Sequence, residues 1–279
     1  SECRLPPGAT VLVAVSGASS GIFVVLVNAF MNAPTGFELV NGQITSIDPI
    51  KAMQSPAAFQ QALHMTLAAY AAHERNTLAG IHALLLLREP MNAFHRRALA
   101  IALVVGVPAA LLQPISGDIS ARNVAEYQPA KLAAMEALFE TRTHAPLLIG
   151  GWPDVENRTV KYGLEIPGGL SFLVAHDFAA EVKGLDQVPR EDWAPVAVTH
   201  IAFQIMVGLG SLMMLVGLWV VWTWIRRQDI AAHPWLLRAI AFCAPFGFIA
   251  IEAGWTVTEV GRQPWIVHGV LRTSEAVTP

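Results

Sequence analysis

Hydrophobic residues in this chain fall into long blocks, not into the alternating or one-sided patterns of a water-soluble fold. The first block runs from about Thr10 to Met31 and is dotted with Gly17, Ser19, Ser20 and Gly21, small residues that let neighbouring helices approach closely. A second begins near Ala57, is interrupted by His73, Glu74, Arg75 and Asn76, and resumes from Leu78 to Leu87. A third covers roughly Ala98 to Leu112, a fourth Val196 to Ile225 and a fifth Leu236 to Thr258. Blocks of this kind predict membrane-crossing helices, here called spans A to E. The fold class is therefore all-α, a polytopic transmembrane helix bundle of about five spans. The polar tetrad in span B requires a wet or protein-lined setting, or a break in the helix.

Between spans A and B lies NAFMNAPTGFELVNGQITSIDP, rich in turn formers. Between C and D lies a far longer polar segment, Gln113 to Ala194, with mixed charge and several prolines. The chain thus divides into spans A–C (1–112), a long segment outside the membrane (113–195) and spans D–E (196–279).

Composition agrees with this division. Hydrophobic residues make up 54% of the 279 and charged ones only 14%, with a mean hydropathy of +0.47. A soluble domain carries about 25% charged residues. The net charge of −3 points away from a nucleic-acid partner. Cys3 and Cys243 show no metal spacing, and no cleavable signal peptide is evident. The chain opens abruptly on SECRLPPG and reads as part of a longer protein.

Basic residues set the orientation. Arg88, Arg96 and Arg97 lie between B and C, and Arg226, Arg227 and Arg238 lie between D and E, whereas the A–B loop has only Lys51. The positive-inside rule puts the arginine-bearing loops in the cytoplasm, and the long segment and the end of span E outside.

Several residues then stand out for their chemistry. In EAGWTVTEVGRQPWIVHGVLR, Trp255, Glu259 and Arg262 are spaced to share a helical face at the end of an apolar span. Ionisable groups there are a functional hypothesis by default, the plain alternative being an interfacial ion pair with a tryptophan anchor. His64 lies about seven residues into span B and Met206 about ten into span D from the same side, roughly 10 and 15 Å deep. His/Met is a known haem-iron ligand pair, although a methionine in an apolar span is usually packing. Lys131 and Glu136, in AEYQPAKLAAMEALFET, sit on a short helix begun by Pro129; they either flank a common cleft or belong to a solvated face. His82, His200 and His268 carry no specific assignment.

Taken together, these residues resemble subunit I of the cytochrome bd family of bacterial quinol oxidases. The motifs that carry the resemblance are GWTVTEVGRQPW followed by GVLRT (254–273), FQIMVGLG (203–210), LVNAFMNAPTG (26–36), ALHMTLAAY (62–70), and GDISA with KLAAMEALFET (117–141). The similarity covers nearly the whole chain, and the GRQPW segment is highly specific.

The resemblance implies that His64 and Met206 are the axial ligands of a low-spin haem b, and that Lys131 and Glu136 belong to a quinol-oxidising loop. It implies that Glu259 ligates or neighbours a high-spin haem b, with Trp255 between haems and Arg262 near haem propionates. Gln204 stands where many relatives have an arginine supporting the low-spin haem, and keeps a hydrogen-bond donor without the charge. A haem d would join the high-spin haem b in the complete complex. The implied partners are a second subunit, a small single-span subunit, membrane quinol, dioxygen and the lipid bilayer, with no nucleic acid. The implied location is the bacterial inner membrane. Relatives carry about three further membrane elements before span A, including a histidine ligand of the high-spin pair, and one more after residue 279. The tetrad His73–Asn76 fits no motif of the family. Two other readings compete: a membrane b-type cytochrome that passes quinol electrons without reducing dioxygen, and a haem-free membrane bundle.

Overall fold

In a computed structural model that describes residues 7–72 and 75–276, the chain is mainly helical. Its helices are α1 (Pro7–Asn32), α2 (Pro49–Met53), α3 (Ala58–Ala72), α4 (Arg75–Arg88), α5 (Ala93–Tyr127), α6 (Pro129–Met135), α7 (Gly169–Ala175), α8 (Val196–Ile225), α9 (Pro234–Cys243) and α10 (Phe246–Val260). Among the described residues, four stretches are long and apolar enough to cross a membrane: Val11–Asn32, Ala93–Tyr127, Val196–Ile225 and Pro234–Val260. The fourth is α9 and α10 joined at Ala244–Pro245, where proline lacks the N–H that would continue the ladder. Span B is also two helices, α3 and α4, of 15 and 14 residues. His73 and Glu74 of the polar tetrad fall between them, outside the described residues, as does Cys3.

One boundary differs from the sequence reading. Span C was expected to end at Leu112, yet α5 continues to Tyr127 through Pro108 and Pro114. Its polar tail stays helical because it has partners on the α3 side. Ser120 donates to Gln60 Oε1 (2.6 Å), the Gln60 amide donates to Asn123 Oδ1 (3.2 Å), and Asn123 donates to the Pro56 carbonyl (3.2 Å). At its other end α5 starts on Asn92, whose side chain accepts from the Phe94 and His95 amides.

Burial is inverted relative to a soluble protein. Leu12, Ile101 and Ile225 are 72%, 69% and 70% exposed, while Ala29, Ala72 and Ala83 are fully enclosed. Small residues inside and large apolar ones outside are what a lipid-facing bundle needs. Among the described residues Gly17 and Gly21 of span A meet no neighbour within 4 Å, and Ser19 and Ser20 are exposed. Close approach occurs instead at Gly80, where a Cβ would fall 2.5 Å from Ala244 Cβ, and at Gly247, where it would fall 2.4 Å from Ala72 Cα.

Two buried clusters anchor the molecule. One joins α4, α5, α8 and α9 through Ala83, Leu86, Leu103, Val107, Val220, Leu236 and Leu237. The other lies in the long segment, where Leu132, Leu138, Phe139, Leu170 and Leu185 pack with Val196 at the start of α8. The sequence reading assigned no strands. The segment nonetheless holds three nested antiparallel pairs, with strands β3 (Arg142–Thr143), β4 (Leu147–Ile149), β5 (Trp152–Asp154), β6 (Thr159–Lys161), β7 (Leu164–Ile166) and β8 (Glu181–Val182), paired β3–β8, β4–β7 and β5–β6. Strands β1 (Glu38–Val40) and β2 (Gln43–Thr45) form a hairpin after α1, and β9 (Trp265–Val267) and β10 (Leu271–Arg272) another after α10. Strands of two or three residues carry no readable alternation, which is why they were missed.

Candidate functional site

Helix α6 begins with Pro129 in its first turn, where the missing N–H costs nothing. It ends in a Schellman turn: the Leu138 amide donates to the Ala133 carbonyl (2.8 Å) and the Ala137 amide to the Ala134 carbonyl (3.3 Å). Ala137 takes the left-handed conformation, φ 48°, that this turn demands and that glycine usually fills. Glu136 is the cap residue of that turn, so its backbone is tightly fixed.

Lys131 and Glu136 do not form a solvated face; they are 6% and 1% exposed. Their surroundings differ. The Lys131 Nζ donates to Asn32 Oδ1 (2.6 Å) and to the Thr258 carbonyl (3.2 Å). Burial pushes this amine down to about 7, the Arg262 charge acting the same way and Glu259 opposing it. Both carboxyl oxygens of Glu136 are buried without a hydrogen-bond partner among the described residues, and burial pushes this acid up to about 8.

From Lys131 a chain of hydrogen bonds reaches Glu259. Asn32 accepts from Lys131, and its amide donates to Asn28 Oδ1 (2.8 Å) and to the Asn28 carbonyl (2.9 Å). The Asn28 amide in turn donates to Glu259 Oε1. From the other side the Arg262 guanidinium donates to Glu259 Oε2 (2.5 Å) and to the Ile266 carbonyl (2.7 Å). Every donor in this line points towards the carboxylate, with a cation at each end. Gln128 steadies it by donating to the Asn32 carbonyl (2.7 Å).

The glycine of GRQPW has a steric reason. A Cβ at Gly261 would lie 2.3 Å from the Val257 carbonyl oxygen, 3.1 Å from Thr199 Cγ2 and 3.3 Å from Lys131 Cε. The Val257 carbonyl is the contact that rules a side chain out, and the lysine stem passes close beside it. Trp255, one turn before Glu259 on α10, is 38% exposed. Arg262 lies just past the helix end, so it pairs with Glu259 by folding back and not by sharing a continuous helical face.

The donors proposed for a haem iron fit that chemistry. The His64 Nδ1 faces Ser116 Oγ (2.9 Å), and Ser116 donates its own proton to the Gln113 carbonyl (2.8 Å). The hydroxyl oxygen therefore accepts from Nδ1–H, and the Nε2 lone pair, the one a metal would take, accepts here from the Gln113 amide (3.1 Å). A second hydrogen bond that fixes the tautomer is typical of a ligating histidine. A Cβ on Gly254 would fall 2.9 Å from Met206 Sδ, so the thioether rests against α10. The described contacts of His64 are thus with α5 and those of Met206 with α10. Among the described residues there is no cluster of three or more His, Cys, Asp or Glu.

Gln204 is turned to the loop. Its Oε1 accepts from the Gly150 amide (2.9 Å) and its Nε2 donates to the Leu148 carbonyl (3.0 Å). Sequence reasoning missed three residues here: Asn28, Asn32 and His200. The two asparagines were visible as LVNAFMN, polar groups four apart at the end of an apolar span. His200 offered no such signal.

A model of the family described as cytochrome bd terminal oxidase subunit I matches residues 4–279. The chain belongs to that family. It is 41% identical, over 99% of its length, to a putative cytochrome bd menaquinol oxidase subunit I of Bacillus subtilis (strain 168), of which it covers 63%. It is 32% identical, over 96% of its length, to the cytochrome bd ubiquinol oxidase subunit 1 of the same organism, covering 59% of that protein. Its fold superposes on the structure of bd oxidase from Geobacillus thermodenitrificans with a TM-score of 0.85 at 40% identity, over 95% of this chain and 61% of that one. The chain therefore spans about three fifths of the length of these relatives. Cytochrome bd membership, together with the four apolar helices, makes this a membrane protein and implies haem cofactors.

Proposed function

We propose that this chain contributes to a quinol-oxidising, dioxygen-reducing cytochrome bd oxidase as part of its subunit I, in a bacterial inner membrane with the long segment outside. The observation that carries this reading is the hydrogen-bonded line from Lys131 through Asn32 and Asn28 to Glu259 and Arg262, which ties the loop to the GRQPW turn. Membrane quinol is oxidised at the loop, where Lys131 and Glu136 handle its protons. With values pushed to about 7 and about 8, both groups exchange protons near neutral pH, as proton-transfer residues must. The quinol protons leave on the outer side, while dioxygen reduction takes its protons from the cytoplasm, so charge is separated without a pump.

His64 and Met206 would hold a low-spin haem b, and Glu259, with Trp255 and Arg262, would serve a high-spin haem b that a haem d joins in the complete complex. Those haems supply the one-electron and oxygen chemistry. His64 would present Nε2 and Met206 its sulfur, and Arg262 pairs with Glu259. A second subunit and a small single-span subunit complete the assembly.

An optical spectrum of the complete complex tests this. A low-spin b band lost in His64→Ala and altered in Met206→Leu, alongside a chlorin band, is the expected result. A complex with no haem, or with b alone and no dioxygen uptake, would replace the proposal with one of its two competitors. Separately, Lys131→Gln and Glu136→Gln should raise the KM for quinol, leaving haem content and turnover with an artificial donor largely intact.

A further inference from the structure

One buried polar group is unused by the reading above. His200 is fully enclosed on α8, one turn before Gln204, so the two side chains share a face. Its Nδ1 lies 2.8 Å from the Met135 carbonyl and its Nε2 3.2 Å from the Gly150 carbonyl. Met135 O is the last carbonyl of α6, immediately before Glu136, and the Schellman turn leaves it without a backbone partner. Both ring nitrogens thus face carbonyl oxygens, and the closer contact, from Nδ1, is with Met135. Gln204 then holds the far side of the loop at Leu148 and Gly150. Neither glycine of that turn is replaceable without strain: Gly150 has φ +67°, and a Cβ on Gly151, φ +103°, would meet Val160 Cγ1 at 2.5 Å. Two side chains of one helix face thus grip two separate parts of the loop by their backbones.

We infer that His200 and Gln204 are positioning residues for quinol oxidation: they clamp the end of α6 and the β4–β5 turn onto α8 and so fix where the Glu136 carboxyl stands. This rests on the assignment of Glu136 to the quinol site. Neither residue touches quinol in this scheme; both act through the loop backbone.

The test uses the complete oxidase in native membranes. His200→Leu should raise the KM for quinol by about tenfold, the value of about 1.4 kcal/mol. Turnover with an artificial electron donor and the haem spectrum should stay unchanged. Hydrogen exchange should quicken at the Ala137, Leu138 and Gly150 amides. His200→Gln, which keeps a donor for Met135 O, should restore most of the quinol affinity; Gln204→Leu should give a similar but smaller shift and stands in if His200→Leu fails to assemble. Equal losses with quinol and artificial donor, or an unchanged KM in both variants while Glu136→Gln raises it, would overturn the clamp and leave the quinol assignment standing. A normal KM in Glu136→Gln itself would remove that assignment, and the inference with it, whatever the exchange rates show.

Discussion

Two guanidinium–carboxylate pairs stand at opposite ends of the bundle, and they are built from the same chemistry in different surroundings. At the loop end Arg262 is 3% exposed and Glu259 35%, and Asn28 reaches the same carboxylate from a helix more than two hundred residues away in sequence. At the other end Arg96 and Asp229 are 35% and 46% exposed, at the bundle end where Leu86, Val220, Leu236 and Leu237 pack together. Arginines stack there on tryptophans, Arg226 on Trp222 and Arg238 on Trp235, each 4.6 Å from the ring centre. One end uses charge as internal wiring and the other as an interfacial rim. A buried pair is costly to assemble and costly to break, whereas an exposed pair is neither.

Glu136 is the extreme case, a buried acid with no hydrogen-bond partner among the described residues, and it should give the largest effect. Its value rises from 4.5 to about 8, so the folded state holds a proton that the unfolded chain has released. Stability is then full below 4.5 and declines as pH rises towards about 8. Lys131 works with the opposite sign, but only between about 7 and 10.5. Histidines held below their ordinary value by burial, His268 among them, add a slope of the opposite sign in the same region, so the acid is read from the difference between wild type and Glu136→Gln in thermal unfolding of the purified proteins between pH 4.5 and 7. Relative to the variant, the wild type should lose stability across that window. Parallel profiles for the two would mean that the carboxyl is hydrated or paired.

The internal pair comes next. Arg262→Leu leaves Glu259 with Asn28 alone and should cost about 3 kcal/mol, the lower end of the range for breaking a buried pair, because Glu259 keeps some contact with solvent. Denaturant unfolding measures it; a loss below about 1 kcal/mol would make this pair no different from the exposed one. Asn32→Leu should cost somewhat less, about 2 kcal/mol, by removing Lys131's side-chain acceptor and Asn28's donor together. Its distinguishing sign is a further fall in the Lys131 value, since an amine that loses its acceptor gives up its proton sooner than sit charged and unpaired.

How far these features could be read from the sequence follows from their range. Spans A, D and E were visible because lipid imposes long apolar runs, and α8 spans the very residues expected of it. The end of α5 was not, because its polar tail looks like a loop until Gln60 and Ser120 are seen to meet across sixty positions. Glu259 and Arg262 were legible as charges in the wrong place. The asparagine relay was half legible: the residues stood out, but which carboxylate they served depended on α1 meeting α10. His200 was illegible, since a histidine at a helix start reads the same whether it caps another helix or does nothing. Gly17 and Gly21 permit close packing without naming a partner, and they meet none among the described residues.

The smallest effect should come from the exposed pair, and it sharpens the contrast most directly. Arg96 also donates to the Pro90 carbonyl (3.2 Å), and Asp229 also accepts from the Ala231 amide (3.0 Å), capping the turn before α9. Each single substitution to alanine therefore removes more than the ion pair, and Asp229→Ala should cost more than Arg96→Ala because a cap is lost with it. The double substitution isolates the pair itself. Its coupling should be below about 1 kcal/mol and should fade in high salt. Leu86, Val220, Leu236 and Leu237 hold this end together whether or not the charges meet. If the coupling measured here equalled the loss in Arg262→Leu, burial would not be what separates the two ends, and the polar line from Lys131 to Glu259 would need another reason to be internal.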